Sequence, residues 1–177
     1  PQVALAEFLG WPDPEDAPDE KAIERAAQLF WPWYVFNWEY CALDVEEGLL
    51  QGPEDVTITE LFLEKKQIDS KSLEDRFLID ANRSPFSFHE IAAINAGRTV
   101  TIRDILTGHE TLVQERRGSE YLQKGDIIFG RAVQVDNVGM FLGLSPYRIP
   151  PRMKPEVIEM RKGISRSRGM LSVEGLY

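Results

Sequence analysis

Cysteine and histidine are scarce in this chain of 177 residues, which has one Cys and two His. The lone Cys41 cannot close an internal disulfide, so a disulfide scaffold is excluded, and its apolar, aromatic surroundings suggest a buried inert thiol. Long hydrophobic runs are missing too. No stretch of 18 apolar residues occurs, and the N-terminus has no basic region leading into an apolar one, so neither a membrane span nor a signal peptide is visible. A cytoplasmic location is expected by default. The glycines are scattered, with neither G-x-G-x-x-G nor G-x-x-x-x-G-K-S/T, which removes the familiar phosphate-cradling loops. Cys41, Ser84, Ser87, Ser119 and Ser145 lie in no nucleophile elbow. These patterns assign no catalytic residue, metal ligand set or cofactor.

Positive charge is also in short supply: 20 Lys and Arg stand against 29 Asp and Glu, a net charge of -9. That balance opposes attraction to nucleic acid and to anionic membrane over the surface as a whole. The hydrophobic share, 43%, is that of a globular domain. A chain of this length buries about 70% of its unfolded surface without metal or disulfide staples.

Charge and periodicity divide the sequence near Pro85. Residues 1–80 carry 19 acids and 6 bases, net -13, and residues 81–177 carry 10 acids and 14 bases, net +4. The first part has helical signals. Three prolines and three acids make residues 11–18 an extended loop. Asp19 then caps a helix expected over about 20–30, and Pro32 is suited to begin a second, continued by Phe36, Tyr40 and Leu43. Thr57 and Glu60 have capping-box spacing before a helix expected over 58–67. Ser72 and Asp75 repeat the signal more loosely, before Leu73, Phe77 and Ala81 share a helical face that Pro85 ends.

Beyond Pro85 the period becomes two. Strands are expected at 88–94, 99–105, 111–115, 127–135 and 138–144, separated by turns at Asn95-Ala96-Gly97, Thr107-Gly108, Lys124-Gly125-Asp126 and Asp136-Asn137. Ile127, Phe129 and Val133 should share one face, opposite Ile128 and Ala132. Arg131 falls on the Phe129 face, which requires either a rim position or a bulge. Five short strands predict a small antiparallel β-barrel, since closure removes edges. Residues 147–152 should leave it as an extended connector, followed by a short helix over 155–162.

Three clusters invite a functional reading. Seven of the eleven residues from Phe30 to Tyr40 are aromatic. They form either a core element or, if exposed, a binding band with Trp31, Trp33 and Trp38 as candidates. Nucleic-acid stacking platforms interleave bases with aromatics, and this run has no basic residue. His89-Glu90 and His109-Glu110 carry metal-ligand chemistry, but neighbours on a strand point to opposite faces, so each pair could offer one inward ligand at most. The third cluster is basic: Arg148, Arg152, Lys154, Arg161, Lys162, Arg166 and Arg168 lie among only two acids. Of these, Arg161, Lys162, Arg166 and Arg168 are candidates to track a phosphate backbone; the other reading is a tail that pairs with the acidic half or leads into a further segment.

Three stretches in combination, Leu29-Phe30-Trp31-Pro32-Trp33 with Asn37-Trp38, Ser84-Pro85-Phe86-Ser87-Phe88, and Thr101 to Gly108 followed by Gly125-Asp126, are similar to bacterial proteins known as SEC-C motif domain proteins. The resemblance covers about residues 25–165. It implies a piece of a longer protein and no established activity; the Cys-rich zinc motif that names the family is absent here, with Cys41 alone. The expectation is thus an α+β chain: an acidic helical region over 1–85 packed on a five-stranded antiparallel β-barrel over 86–150, with a basic extension over 151–177. The function expected is a noncatalytic protein-interaction or scaffold module, its partner a protein or a missing segment of the same protein, with no membrane. The alternatives are a nucleic-acid-associated protein using the basic extension, then a hydrolase with an unrecognised site.

Overall fold

Leu29, Trp33 and Phe36 recur at helical spacing on both sides of Pro32, and the chain forms one continuous helix through the proline. The computed structural model describes residues 2–10, 20–39, 56–66, 68–69 and 71–160, in two units, Pro1–Arg83 and Ser84–Tyr177. The helical unit contains α1 (Gln2–Phe8), α2 (Glu20–Phe36), α3 (Ile58–Lys65) and α4 (Leu73–Arg83). The expected break at Pro32 is therefore corrected. An interior proline costs about 3 kcal/mol, whereas each large apolar side chain buried contributes about 1.5–3 kcal/mol. Leu29, Phe30, Trp33 and Phe36 are all buried, so the stripe outweighs the missing backbone donor.

That stripe packs against α1. Phe8 meets Phe30 edge-on at 5.6 Å and Trp33 at 5.1 Å between ring centres. The buried Trp38 donates its indole N–H to Glu7 Oε2 at 2.9 Å, which satisfies the one polar atom it would otherwise enclose. Thr59 donates to the Val35 carbonyl at 2.9 Å, relieving an acceptor in the last turn of α2. The capping box forms as its spacing predicts. Thr57 Oγ1 accepts from Glu60 N, and Thr57 N donates to Glu60 Oε2; this backbone donor is the main reason the Glu60 carboxyl titrates below its usual range. In the first turn of α4, the buried Asp75 accepts from Lys66 Nζ at 2.6 Å and Asp69 N at 2.7 Å. Residues 11–19, 40–55 and 161–177 lie outside the described residues, and with them the readings of the acidic loop, Cys41 and the basic tail.

The second unit contains β1 (Phe86–Asn95), β2 (Thr99–Asp104), β3 (Glu110–Gln114), α5 (Gly118–Tyr121), β4 (Ile127–Val135) and β5 (Val138–Ile149), then a 3-10 turn over Pro151–Met153 and a helix whose described residues are 154–160. β1 pairs with both β2 and β4, β2 with β3, and β4 with β5, all antiparallel. β3 meets β5 in parallel at the single position Val113–Gly139. The sheet is mixed, which corrects the expected antiparallel barrel. The reason is parity: the order β1-β2-β3-β5-β4 returns to β1, and an odd number of strands cannot alternate in direction around a ring. One adjacent pair has to be parallel. At this seam Gly139 is needed for close approach, because a Cβ there would lie 2.4 Å from the Leu112 carbonyl oxygen.

β5 is longer than expected. Residues 147–149 do not leave the sheet; Arg148 and Ile149 pair with Ile128 and Ile127. Register shifts on either side of Gly130-Arg131 let β5 insert extra residues, and Pro146 sits in one of them, where no ladder donor is required. On the inner face, Ile91, Val100, Ile102, Val113 and Ile128 form an aliphatic core with Ala132, Phe141, Leu144 and Leu122 against it. On the other face of β4, Phe129 contacts Phe86 and Phe88 at 5.6 and 4.9 Å. Arg131 is fully buried there, away from any rim. Its Nε donates to the Ser84 carbonyl and its guanidinium lies 5.4 Å from the Phe86 ring; burial lowers its pKa to about 10.

Candidate binding surface

The aromatic run resolves into core and remainder. Trp33 and Trp38 are buried, and Trp31 is 54% exposed, with its ring against Phe30 and Tyr34. Only Trp31 of the three offers a face to a ligand. Arg161, Lys162, Arg166 and Arg168 lie outside the described residues. Of the basic residues just before them, Arg148 donates to the Tyr121 carbonyl and to Asp126 Oδ2, and Lys154 bonds Glu90 at 2.7 Å.

Strand alternation separates His89 from Glu90, while His109 is exposed in the turn before β3. His89 is buried, with Nε2 3.2 Å from the Gly130 carbonyl oxygen, and burial is the main cause that lowers its pKa, against an opposing pull from Asp104. Glu90 points the other way, into a row across β1, β2 and β3 in which it is opposite Arg103 and Arg103 is opposite Glu110. Arg103 bonds Glu110 at 2.6 Å and approaches Glu90 at 3.9 Å, and the Glu110 bond raises the guanidinium pKa further. These carboxylates face a cation and not each other. Among the described residues, no group of three or more His, Cys, Asp or Glu side chains could hold a metal ion.

A different surface gathers binding chemistry, along the connection from β3 to β4. It begins with Arg116 and Arg117, passes through α5, and ends at the turn holding Lys124, all exposed. Ser119 fixes its start: its Oγ donates to the Arg116 carbonyl at 2.6 Å and accepts from Gly97 N at 2.9 Å. Glu115 N also donates to the Arg98 carbonyl, so the β1–β2 turn carrying Arg98 is stitched beside Arg116. At the far end, Arg148 reaches the Tyr121 carbonyl, and a Cβ on Gly125 would lie 3.3 Å from Pro151, which places Arg152 beside the Lys124 turn. Tyr121, at the end of α5, is 73% exposed. Arg98, Arg116, Arg117, Lys124 and Arg152 enter no ion pair among the described residues. Of the acids nearby, Glu115 accepts from Gly118 N, Asp126 is held by Arg148 and Gln123 N, and Glu120 is exposed.

Sequence reasoning passed over this stripe because its parts are far apart along the chain. Arg116-Arg117 was the only local signal available, and two adjacent arginines in a turn are ordinary. No helix among the described residues is long and apolar enough to cross a membrane.

Fold and surface together define an α+β protein whose β unit is a five-stranded mixed sheet with a basic, tyrosine-bearing face. The chain belongs to a family of unknown function, DUF7986, whose model matches residues 52–147. The match takes in α3 and α4 as well as the strands up to most of β5. Neither the curated proteins nor the solved structures give a match to the chain.

Proposed function

We propose that the protein is a noncatalytic interaction module whose β unit supplies the binding surface. The observation that carries this reading is a division of labour among polar groups. Buried ionisable side chains hold the fold: Asp75 and Asp126 accept backbone N–H groups, and His89 bonds a carbonyl. Along the β3–β4 connection, by contrast, the exposed Arg98, Arg116, Arg117, Lys124 and Arg152 flank the exposed Tyr121 and enter no ion pair among the described residues. Support of a weaker kind comes from architecture. Small β units of about this size bind ligands on strand faces and loops; this is an analogy of fold alone. The likeness to SEC-C motif domain proteins fits a modular role and adds no activity.

The test is cross-linking in cells, with cross-linked sites mapped by mass spectrometry. Links to other molecules should fall on Lys124 and Lys154 and diminish when Tyr121 is changed to Ala. Links confined to Lys65, Lys66 and Lys71 of the helical unit would sink the reading. So would turnover of an ester or phosphoester substrate that His89→Gln abolishes.

A further inference from the structure

We infer that the stripe along the β3–β4 connection is a binding site for single-stranded nucleic acid, taken without sequence preference. The inference rests on the binding-module reading and names its ligand. A strand of nucleic acid needs cations spaced along a backbone and flat apolar faces for its bases. Arg98, Arg116 and Arg117 supply the first at one end, with Lys124 and Arg152 at the other, and none of the five is neutralised by an ion pair among the described residues. Tyr121 supplies the second. Its ring is largely in water and belongs to no aromatic contact of the core. The aromatic run in α2 fails the same criterion, because it has rings without cations. An acidic peptide would use the cations as well, but gains less from a bare ring, so Tyr121 discriminates between the two ligands.

The acidic half of the chain, net -13 over residues 1–80, weakens attraction at long range, so affinity should be micromolar at low salt. With about five phosphates engaged, the slope of log K against log salt is about -3.5, and raising salt from about 50 to 250 mM cuts affinity roughly 300-fold. Binding is therefore weak at physiological ionic strength, in line with the expectation from net charge.

The experiment is fluorescence anisotropy of a labelled 20-nucleotide oligo-dT titrated with the full chain, with an acidic oligoglutamate peptide as a second probe and circular dichroism to confirm each variant's fold. Tyr121→Ala should weaken oligo-dT binding about tenfold at an unchanged salt slope. The triple variant Arg116→Ala, Arg117→Ala, Lys124→Ala should make the slope shallower by about 2. Oligoglutamate binding in preference to oligo-dT, unaffected by Tyr121→Ala, would overturn the nucleic-acid inference and leave the module reading standing. Binding of neither probe at 50 mM salt would overturn the inference and count against the stripe as the binding surface.

Discussion

The two units solve the burial problem with different side chains. In the helical unit the core is aromatic, built from Phe8, Phe30, Trp33, Phe36 and Trp38, and backbone pairing is local to the helices apart from a bridge between Glu39 and Thr57. In the β unit the inner core is mainly aliphatic and β-branched, and its backbone pairs strands far apart in sequence, such as Phe86 with Arg131. Large flat rings let a few short helices enclose enough apolar area to persist, at about 1.5–3 kcal/mol per buried side chain. Branched aliphatics suit a pleated surface whose spacing the backbone has already set. The helical unit should thus fail by loss of single side chains, and the β unit by loss of backbone approach.

All four tryptophans precede residue 39, so tryptophan emission reports the helical unit alone while far-ultraviolet circular dichroism reports both. The largest effect is expected from Phe36→Ala, which should lower stability by about 3–5 kcal/mol in denaturant melts followed by tryptophan emission. Trp31→Ala, at an exposed site of the same helix, should stay within about 0.5 kcal/mol. Comparable losses for the two would break the assignment of the aromatic run to the core.

Next in size is Gly139→Ala, which places a Cβ against the Leu112 carbonyl at the parallel seam. A loss of about 1–3 kcal/mol is expected from overpacking. It should appear in the dichroism melt and in faster amide exchange at Val113, with the tryptophan transition unmoved. An equal shift in both signals would mean that the two units unfold as one.

A smaller loss, about 1 kcal/mol, is expected for Thr57→Ala, which removes the cap of α3. Thr57→Ser should recover most of it, and failure to do so would assign the effect to Thr57's burial and not to its cap.

Acid sharpens the comparison by its direction. Burial depresses the His89 pKa, so its neutral form belongs to the folded β unit. The unfolded chain then binds the extra proton, and stability falls as pH drops below about 6.5 toward the lowered value. Asp75 and Glu60 titrate below their usual range, owing first to the Lys66 and Thr57 hydrogen bonds respectively. Their stabilising effect is present above about pH 4 and is lost only below it. The β unit should weaken as pH falls below about 6.5 while tryptophan emission holds steady until about pH 4, and His89→Gln should flatten that dependence. A pH-independent dichroism melt across this window would remove His89 from the account.

Local chemistry was legible before any fold was known. The Thr57-Glu60 spacing gave α3 its start, period-two alternation found all five strands, and β4 matches residue for residue, from Ile127 to Val135. These signals depend on neighbours within a few positions, so sequence carries them whole. The helix through Pro32, the parallel seam at Gly139 and the extension of β5 to Ile149 did not follow from local pattern. Each depends on what lies opposite: an aromatic stripe against α1, an odd count of strands returning on itself, and a partner strand at Ile127 and Ile128. The basic stripe belongs with them, because Arg98, Arg116, Tyr121, Arg148 and Arg152 become neighbours only through hydrogen bonds and packing between distant turns. Sequence alone determined the two-part α+β character, the caps and turns, and which residues alternate along each strand, since backbone geometry repeats every two or 3.6 residues. Tertiary structure alone decided which strands meet, in which direction, and which charges share a surface, because those contacts join residues whose separation along the chain carries no periodic signal.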